Sequence, residues 1–553
     1  MKKKAPSIAT HSWWRLNYVG IVFALGFLWI SFLPSLLPRP WLYQGLISGI
    51  SIAIGYGIGV LASKLVRWMI GKEFPNRHKP VAWKLLGLVA GIVIVFSLWL
   101  GSTWQNQVRT LVGEQPLESH HVIRIAIIAA ILSLLIILIA RGVRRSYRML
   151  FHFMSRFVPK NVSKVIAYGF VALFFYWILS GVLLNGFIDI SNNVYHKKNQ
   201  STPAGISQPT SPYRSGSPAS LVPWETLGYQ GKAFVARGPS QEQLSAYTGG
   251  PVSQQIRTYV GLDSAATATE RANLAIKELE RTNAFSRKVL VLATATGTGW
   301  LEPQSVDAIE YMYGGDTAIV SQQYSYLPSW ISFLVDKQKA TDAGQALYNA
   351  VYAKWITLPK ETRPKLIAYG LSLGSFGGQA AYTSADSLAL SIDGAIFMGT
   401  PSDTRLWRSI TDNRDKGSPQ WQPTYQNGKT VRFAATNENI TTNQSAWQFP
   451  RILYVQHASD PVVWFDFNLI ANEPDWLKET RGPDVSPKTH WYPFVTFLQV
   501  TVDQFFGVSV PNGNGHNYPN TIVNAWGSVV PPADWNADKA AKLQAIINTY
   551  SNE

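Results

Sequence analysis

Apolar positions divide this 553-residue chain into two regimes. Through residues 19–37, 42–62, 85–104, 122–140 and 165–188 they run on with little interruption. Each stretch approaches or exceeds the roughly 20 residues that a bilayer core requires. Residues 125–140 of the fourth contain no charge at all. The first two are broken by glycine, serine and proline, which membrane helices tolerate. A cleaved signal peptide is the rival reading for the first stretch, but no small-x-small site follows it and four more stretches do. The pattern predicts a bundle of about five transmembrane α-helices in residues 1–190.

Beyond it the pattern changes twice. Residues 191–223 are rich in Ser, Pro, Asn and Gly, as in Ser201-Thr-Pro-Ala-Gly-Ile-Ser-Gln-Pro-Thr-Ser-Pro212. That composition predicts a flexible linker. From 224 to 553, short apolar runs alternate with amphipathic stretches. Runs at 288–294, 317–321, 365–369, 394–400 and 451–457 read as buried strands, and 267–282 and 341–355 as helices. Near-continuous apolar strands alternating with helices predict a mainly parallel sheet covered on both faces. In such sheets, sites form beyond the carboxyl ends of the strands.

Charge sharpens the first regime. The net charge of +16 resembles a nucleic-acid signal until it is located. Residues 1–189 carry 20 Lys and Arg against 4 Asp and Glu, whereas the remaining 29 of each sign cancel in 190–553. The excess lies between apolar stretches, in the N-terminal segment and in the second-to-third and fourth-to-fifth connections. The first-to-second connection has only Arg39, and the third-to-fourth sets Arg109 and Arg124 against Glu114 and Glu118. This is membrane topology, not a groove for nucleic acid. The positive-inside rule puts the N-terminus in the cytoplasm, and five crossings then put the second regime outside the plasma membrane. Cysteine is absent, which excludes a disulfide framework, thiolate chemistry and cysteine-ligated zinc.

Candidate chemistry begins at Gly370-Leu371-Ser372-Leu373-Gly374, a G-x-S-x-G pentapeptide directly after the 365–369 run. It has the form of a nucleophile elbow, a serine on a sharp strand-to-helix turn whose neighbours must be small. A serine nucleophile needs a base, and the base needs a carboxylate that holds its tautomer. The expected chain order is Ser, then Asp or Glu, then His. Asp460 follows the 451–457 run and precedes Pro461, so it is the expected acid, with Asp466 and Asp484 as weaker rivals. The second regime has three histidines, His457, His490 and His516. His516 sits in Pro511-Asn-Gly-Asn-Gly-His-Asn-Tyr518, a loop able to aim an imidazole, and is the expected base. His457 reads as a packed strand-end residue and His490 as a surface or lid residue.

The oxyanion of an acyl-transfer intermediate should be met by the backbone N–H of Leu373 and by one N–H of Thr296 or Gly297. Those two lie in Thr294-Ala-Thr-Gly-Thr-Gly-Trp300, which lacks the ending and spacing of a phosphate-binding loop. Residues 401–450 are polar, carry Trp407, Trp421 and Trp447, and suggest a lid.

With these pieces together, the chain resembles the membrane-anchored α/β-hydrolases, found mostly in actinobacteria, that join a multi-spanning N-terminal domain to a C-terminal serine-hydrolase domain. The resemblance rests on Gly297-Thr-Gly-Trp300, Ser372-Leu-Gly-Ser-Phe-Gly377, Gly399-Thr-Pro401, Gln456-His-Ala-Ser-Asp-Pro-Val462 and Gly515-His-Asn-Tyr518. It implies Ser372 as nucleophile, Asp460 as acid and His516 as base. No cofactor and no metal are expected for this chemistry. Leu371 stands where many relatives are expected to have an acidic residue. The expected activity is hydrolysis of lipid or cell-envelope esters through an acyl-enzyme. An acyltransferase would use the same triad. A non-catalytic receptor on a hydrolase fold would not need the ordered Ser, Asp and His, and a lipid transporter would need polar residues inside the spans, where few occur.

Overall fold

The structure, a computed structural model, describes residues 16–71, 79–440, 442 and 445–550. Lys2, Lys3, Lys4, Arg15, Lys72 and Arg77 of the charge pattern lie outside the described residues.

The N-terminal region contains α1 (Tyr18–Ser31), α2 (Trp41–Ile70), α3 (Lys79–Leu111), α4 (Val122–Met154), α5 (Lys160–Tyr176) and α6 (Asn185–Gln200). The last two continue through a π-helical stretch, Trp177–Leu184, as one helix over Lys160–Gln200. Four of these helical segments among the described residues are long and apolar enough to cross a membrane, which marks the chain as membrane-anchored. The expected first span is shortened to the 14 residues of α1, about 21 Å at 1.5 Å per residue. Pro34, Pro38 and Pro40 prevent the helix from continuing. The glycines that interrupt α2 are packing surfaces. A side chain at Gly55 or Gly59 would strike the backbone of α1, and one at Gly45 or Gly49 would strike Ile128 or Leu132 of α4.

The second region is built on a seven-stranded sheet whose strands all pair in parallel. Its strands are β1 (Ile256–Val260), β2 (Val289–Thr294), β3 (Thr317–Gln322), β4 (Lys365–Leu371), β5 (Gly394–Met398), β6 (Val431–Ala434) and β7 (Arg451–Val455), in the order β1-β3-β2-β4-β5-β7-β6. Helices flank the sheet. Five strands coincide with the expected apolar runs, and the two edge strands, β1 and β6, do not. Each edge strand carries a buried arginine that interrupts the apolar signal. Arg257 of β1 donates to Glu310 at 2.8 and 2.7 Å, to Asp307 at 2.5 Å and to the Phe234 carbonyl at 2.8 Å. Arg432 of β6 donates to the Gly428 and Ile440 carbonyls at 3.0 and 2.8 Å.

Two expectations are corrected here. Residues 191–223 are not a flexible tether. Their first part completes α6, and the rest is fastened to the sheet, where Arg257 N–H donates to Tyr213 O at 3.2 Å and Ser215 N–H to Arg257 O at 3.1 Å. Val222 is fully buried. Proline and serine supply turns here whose polar groups are tied locally. Nor is 401–450 simply a lid, because it contributes β6 to the sheet. Trp407 is buried with its Nε1–H on Gln456 Oε1 at 2.8 Å, and Trp447 donates to Thr430 O at 2.8 Å, so both serve packing.

The two regions meet through the α1–α2 and α3–α4 connections. Leu36, Leu37 and Val112 belong to the hydrophobic core of the sheet domain. Asp503 Oδ2 accepts the N–H groups of Leu36 and Leu37 at 3.1 and 3.3 Å, and Gln499 Nε2 donates to Leu33 O at 3.0 Å. The basic residues of the C-terminal ends of α2 and α4 lie at the opposite end of the bundle. There Arg141 of α4 donates to the Tyr56 hydroxyl, which also accepts from Asn17 ahead of α1.

Removing Arg257 would strand Glu310 and Asp307 in the interior. Breaking a buried ion pair in this way costs about 3–5 kcal/mol. We expect Arg257→Met to lower the thermal midpoint of the sheet domain, and Arg257→Lys to restore little of it, because lysine cannot span both carboxylates. Thermal unfolding of the purified full-length variants checks this.

Candidate active site

Ser372 stands between the end of β4 and a short helix, Leu373–Gly378, at φ 57° and ψ −125°. A non-glycine residue is held in such backbone geometry only by its surroundings. Here Ser372 N–H donates to Met398 O of β5 at 2.9 Å. The flanking glycines are needed for close approach. A Cβ on Gly370 would lie 2.5 Å from the Gly374 carbonyl carbon, and one on Gly374 would collide with Thr294 O. The strand, the turn and the loop after β2 are thus pressed together around the serine.

Asp460 follows β7 and is fully buried, with no lysine or arginine bonded to it among the described residues. Oδ1 accepts the Val462 N–H at 2.8 Å. Oδ2 accepts His516 Nδ1–H at 2.7 Å and the Tyr518 hydroxyl. Burial, with Asp460 beside it, pushes the Tyr518 hydroxyl far above its ordinary value, so it remains a donor. The His516 ring packs over Gly399, directly after β5, where a Cβ would collide with Cε1. His516 Nε2 is buried and has no hydrogen-bond partner among the described residues. Ser372, Asp460 and His516 therefore extend from the carboxyl ends of β4 and β7 and from a loop lying across β5.

The loop bearing His516 is fixed by residues to which sequence reasoning assigns no such role. His457 Nδ1 donates to Gly515 O at 2.8 Å, Gly515 N–H donates to Ser459 Oγ at 2.8 Å, and the His457 ring stacks on Tyr518 at 4.4 Å. Burial holds the His457 imidazole below its ordinary value, so it is the neutral donor this bond needs. His516 N–H donates to Gly507 O at 2.7 Å. Asp484 accepts the Ser459 N–H at 2.9 Å, and Asp466 pairs with Arg408 at 3.1 Å, so both rival carboxylates are engaged elsewhere. His490 is exposed. The signal for Tyr518 and Ser459 is their place within the two quoted motifs.

Of the two expected donors in the loop after β2, Thr296 is excluded as a backbone donor because its N–H is bonded to Trp300 O at 3.0 Å. Gly297 N–H has no such partner among the described residues. The elbow packs on this loop, since a Cβ on Gly374 would also lie 3.2 Å from Ala295 O. The same loop ends in Glu302, another residue the sequence does not single out. Burial raises its carboxyl from an ordinary 4.5 to about 7, with Asp307 adding to the rise and the Gln304 N–H and His516 opposing it.

A raised carboxyl favours the folded protein when protonated. That stability is complete below about pH 4.5 and is lost as the pH climbs through about 7. Glu302→Gln removes the loss. We expect the variant's thermal midpoint to gain on wild type from pH 5 to about pH 7 and to level off by pH 8, as read by unfolding scans across that range.

Comparison with known proteins agrees with this architecture. A family model described as "Alpha/beta-hydrolase family" matches residues 256–543, and one described as "Alpha/beta-hydrolase family N-terminus" matches residues 32–239. No curated protein and no solved structure matches the chain. The two models together cover the membrane-anchored region from α2 onward and the parallel sheet that carries Ser372, and the chain belongs to the α/β-hydrolase family.

Proposed function

We propose that this chain is a membrane-anchored serine hydrolase that forms an acyl-enzyme on Ser372. The observation that carries the reading is the 2.7 Å hydrogen bond from His516 Nδ1 to Asp460, with His516 Nε2 left unpartnered among the described residues. An imidazole held in one tautomer with its second nitrogen available is what a serine base requires.

On this reading Ser372 Oγ adds to an ester carbonyl while its proton passes to His516 Nε2. Asp460 keeps the proton on Nδ1 and stabilises the imidazolium without itself taking a proton. The carbonyl oxygen, now negative, receives the N–H groups of Leu373 and Gly297. The tetrahedral intermediate expels the alcohol, which takes the proton from His516. Water, activated by the same imidazole, then releases the acid. A sugar or glycerol hydroxyl in place of water gives an acyltransferase with unchanged residues. Hydrogen bonds between nucleophile and base are often long without substrate and tighten when it binds.

An apolar trail favours lipid or cell-envelope esters as substrates. Phe187, in the last long helix, lies 6.1 Å from Trp330, which lies 5.3 Å from Phe505. Tyr43 of α2 lies 6.1 Å from Phe505. Trp330 belongs to a helix, Ser329–Val335, packed against Gly297, and Phe505 lies two residues before the Gly507 that binds His516 N–H. Exposed aromatic side chains thus run from the spans toward the Gly297 loop and the segment that holds the His516 loop. The connections that meet the sheet domain are those with the fewest uncompensated basic residues. This favours an extracytoplasmic catalytic domain at the plasma membrane and, because α1 runs beside α2 from the basic end where Asn17 and Arg141 share the Tyr56 hydroxyl, a cytoplasmic N-terminus.

Two measurements test the reading. A fluorophosphonate probe applied to membranes should label wild type and not Ser372→Ala, and equal labelling of both would overturn the nucleophile assignment. Because the chain has no cysteine, single cysteines can report topology. A cysteine placed at Ser155 should be shielded from a membrane-impermeant maleimide in intact cells, and one placed at the exposed Ala541 should react. The reverse pattern would overturn the orientation.

A further inference from the structure

Two segments of the sheet domain carry no charged side chain and face outward beside the spans. They are residues 323–335, which contain the helix Ser329–Val335, and residues 504–515, which follow Asp503. In the helix, Ile331 and Ser332 are buried and Phe333 packs on Phe465 at 5.9 Å. That turns Trp330 and Leu334, one helical turn apart, outward. In the second segment Gly507 and Val510 are buried, and Phe505 and Val508 face outward. Trp330, Leu334, Phe505 and Val508 are 37, 56, 41 and 65 % exposed. Trp330 packs edge-on against Phe505 at 5.3 Å, so the two segments form one apolar surface. A contiguous surface of this kind marks a contact with another phase or molecule.

The spans give the level at which that surface stands. Lys64 and Lys164 mark the basic ends of α2 and of the helix Lys160–Gln200. Tyr43 stands 21 residues before Lys64, about 31 Å at 1.5 Å per residue. Phe187 stands 23 residues after Lys164, about 34 Å on the same rise. The hydrocarbon core of a bilayer is about 30 Å thick. Tyr43 and Phe187, on two separate spans, therefore both stand at its far edge. Tyr43 touches Phe505 and Phe187 touches Trp330, each with ring centres 6.1 Å apart. The uncharged surface is continuous with the spans at the depth where hydrocarbon gives way to headgroups.

We infer that the surface formed by Trp330, Leu334, Phe505 and Val508 is seated in the lipid boundary of the bilayer that the protein's own helices cross. Its partner is lipid. Aromatic rings suit this boundary, where one side is apolar and the other wet. A helix with an apolar outer face lies in the plane of the boundary with that face against acyl chains. The helix Ser329–Val335 packs on Gly297, and Phe505 lies two residues before the Gly507 that binds His516 N–H. Lipid contact would thus hold both loops at one depth in the membrane. The inference rests on the crossing of the helices and not on the chemistry of Ser372.

The absence of cysteine lets one introduced cysteine carry a nitroxide spin label uniquely. The full-length protein is labelled at Leu334→Cys, Val508→Cys or Leu390→Cys and placed in phosphatidylcholine nanodiscs. Leu390 is 86 % exposed and lies ahead of the amino end of β5, opposite the strand ends that carry Ser372, so it is the aqueous reference. All three side chains are exposed, so the substitutions leave the packing intact. Power saturation then reads access of molecular oxygen, which concentrates in lipid, and of a water-soluble nickel chelate. We expect labels at Leu334 and Val508 to gain oxygen access and lose chelate access relative to Leu390. Chelate access at either position equal to that at Leu390 would overturn the inference. Protection of either position from both reagents, as beneath a second copy of the chain, would overturn it as well.

Discussion

Asp460 is a carboxylate fully buried behind a parallel sheet, with no lysine or arginine bonded to it among the described residues. Much of the surrounding structure can be understood as what its charge demands. An isolated ionised group in a protein interior is costly unless donors surround it. Asp460 meets that demand with a backbone N–H, a tyrosine hydroxyl and an imidazole N–H. Two of the three donors come from the loop at 513–518, so satisfying the carboxylate and positioning His516 are one event. His457 and Ser459 fasten the same loop through Gly515, which makes the histidine's position a property of a network and not of one contact.

That network rests on the membrane-anchored region. Leu37 comes from the connection between α1 and α2, is buried in the core of the sheet domain and underlies Gly515. The chain at 191–223, which continues from the last long helix, is bound to β1 at the edge of the same sheet. The bundle and the sheet domain therefore share a packed interface next to the proposed site. A substrate that arrives along the exposed aromatic surface would enter between them. This arrangement suits an ester that remains partly in the bilayer, and it gives the membrane-anchored region a part in shaping the site's surroundings.

The elements legible in the sequence are those whose local chemistry and tertiary role agree. The runs that form β2, β3, β4, β5 and β7 are apolar throughout because both faces are covered. The G-x-S-x-G turn is legible because its glycines are required by backbone contacts on either side. What the sequence conceals follows from long-range pairing. Arg257 and Arg432 make β1 and β6 look polar, and only the fold supplies Glu310, Asp307 or the carbonyls that satisfy them. The 191–223 stretch has the composition of a tether, but its turns find partners on β1. The first apolar run reads as a full span because hydropathy does not register that Pro34 ends α1 and frees Leu36 and Leu37 to dock. Thr296 is as plausible a donor as Gly297 until the turn to Trp300 consumes its N–H.

The claim at the centre of this account is that Ser372 carries an acyl group during turnover. It is tested most directly by rapid mixing of the full-length protein with a chromogenic ester, followed by an acid quench and peptide mass mapping. The account predicts a burst of alcohol release close to one equivalent of enzyme, with the acyl mass on the peptide containing Ser372, and loss of both in His516→Ala. Turnover without a burst or adduct, or an adduct on another residue such as Ser375, would contradict it.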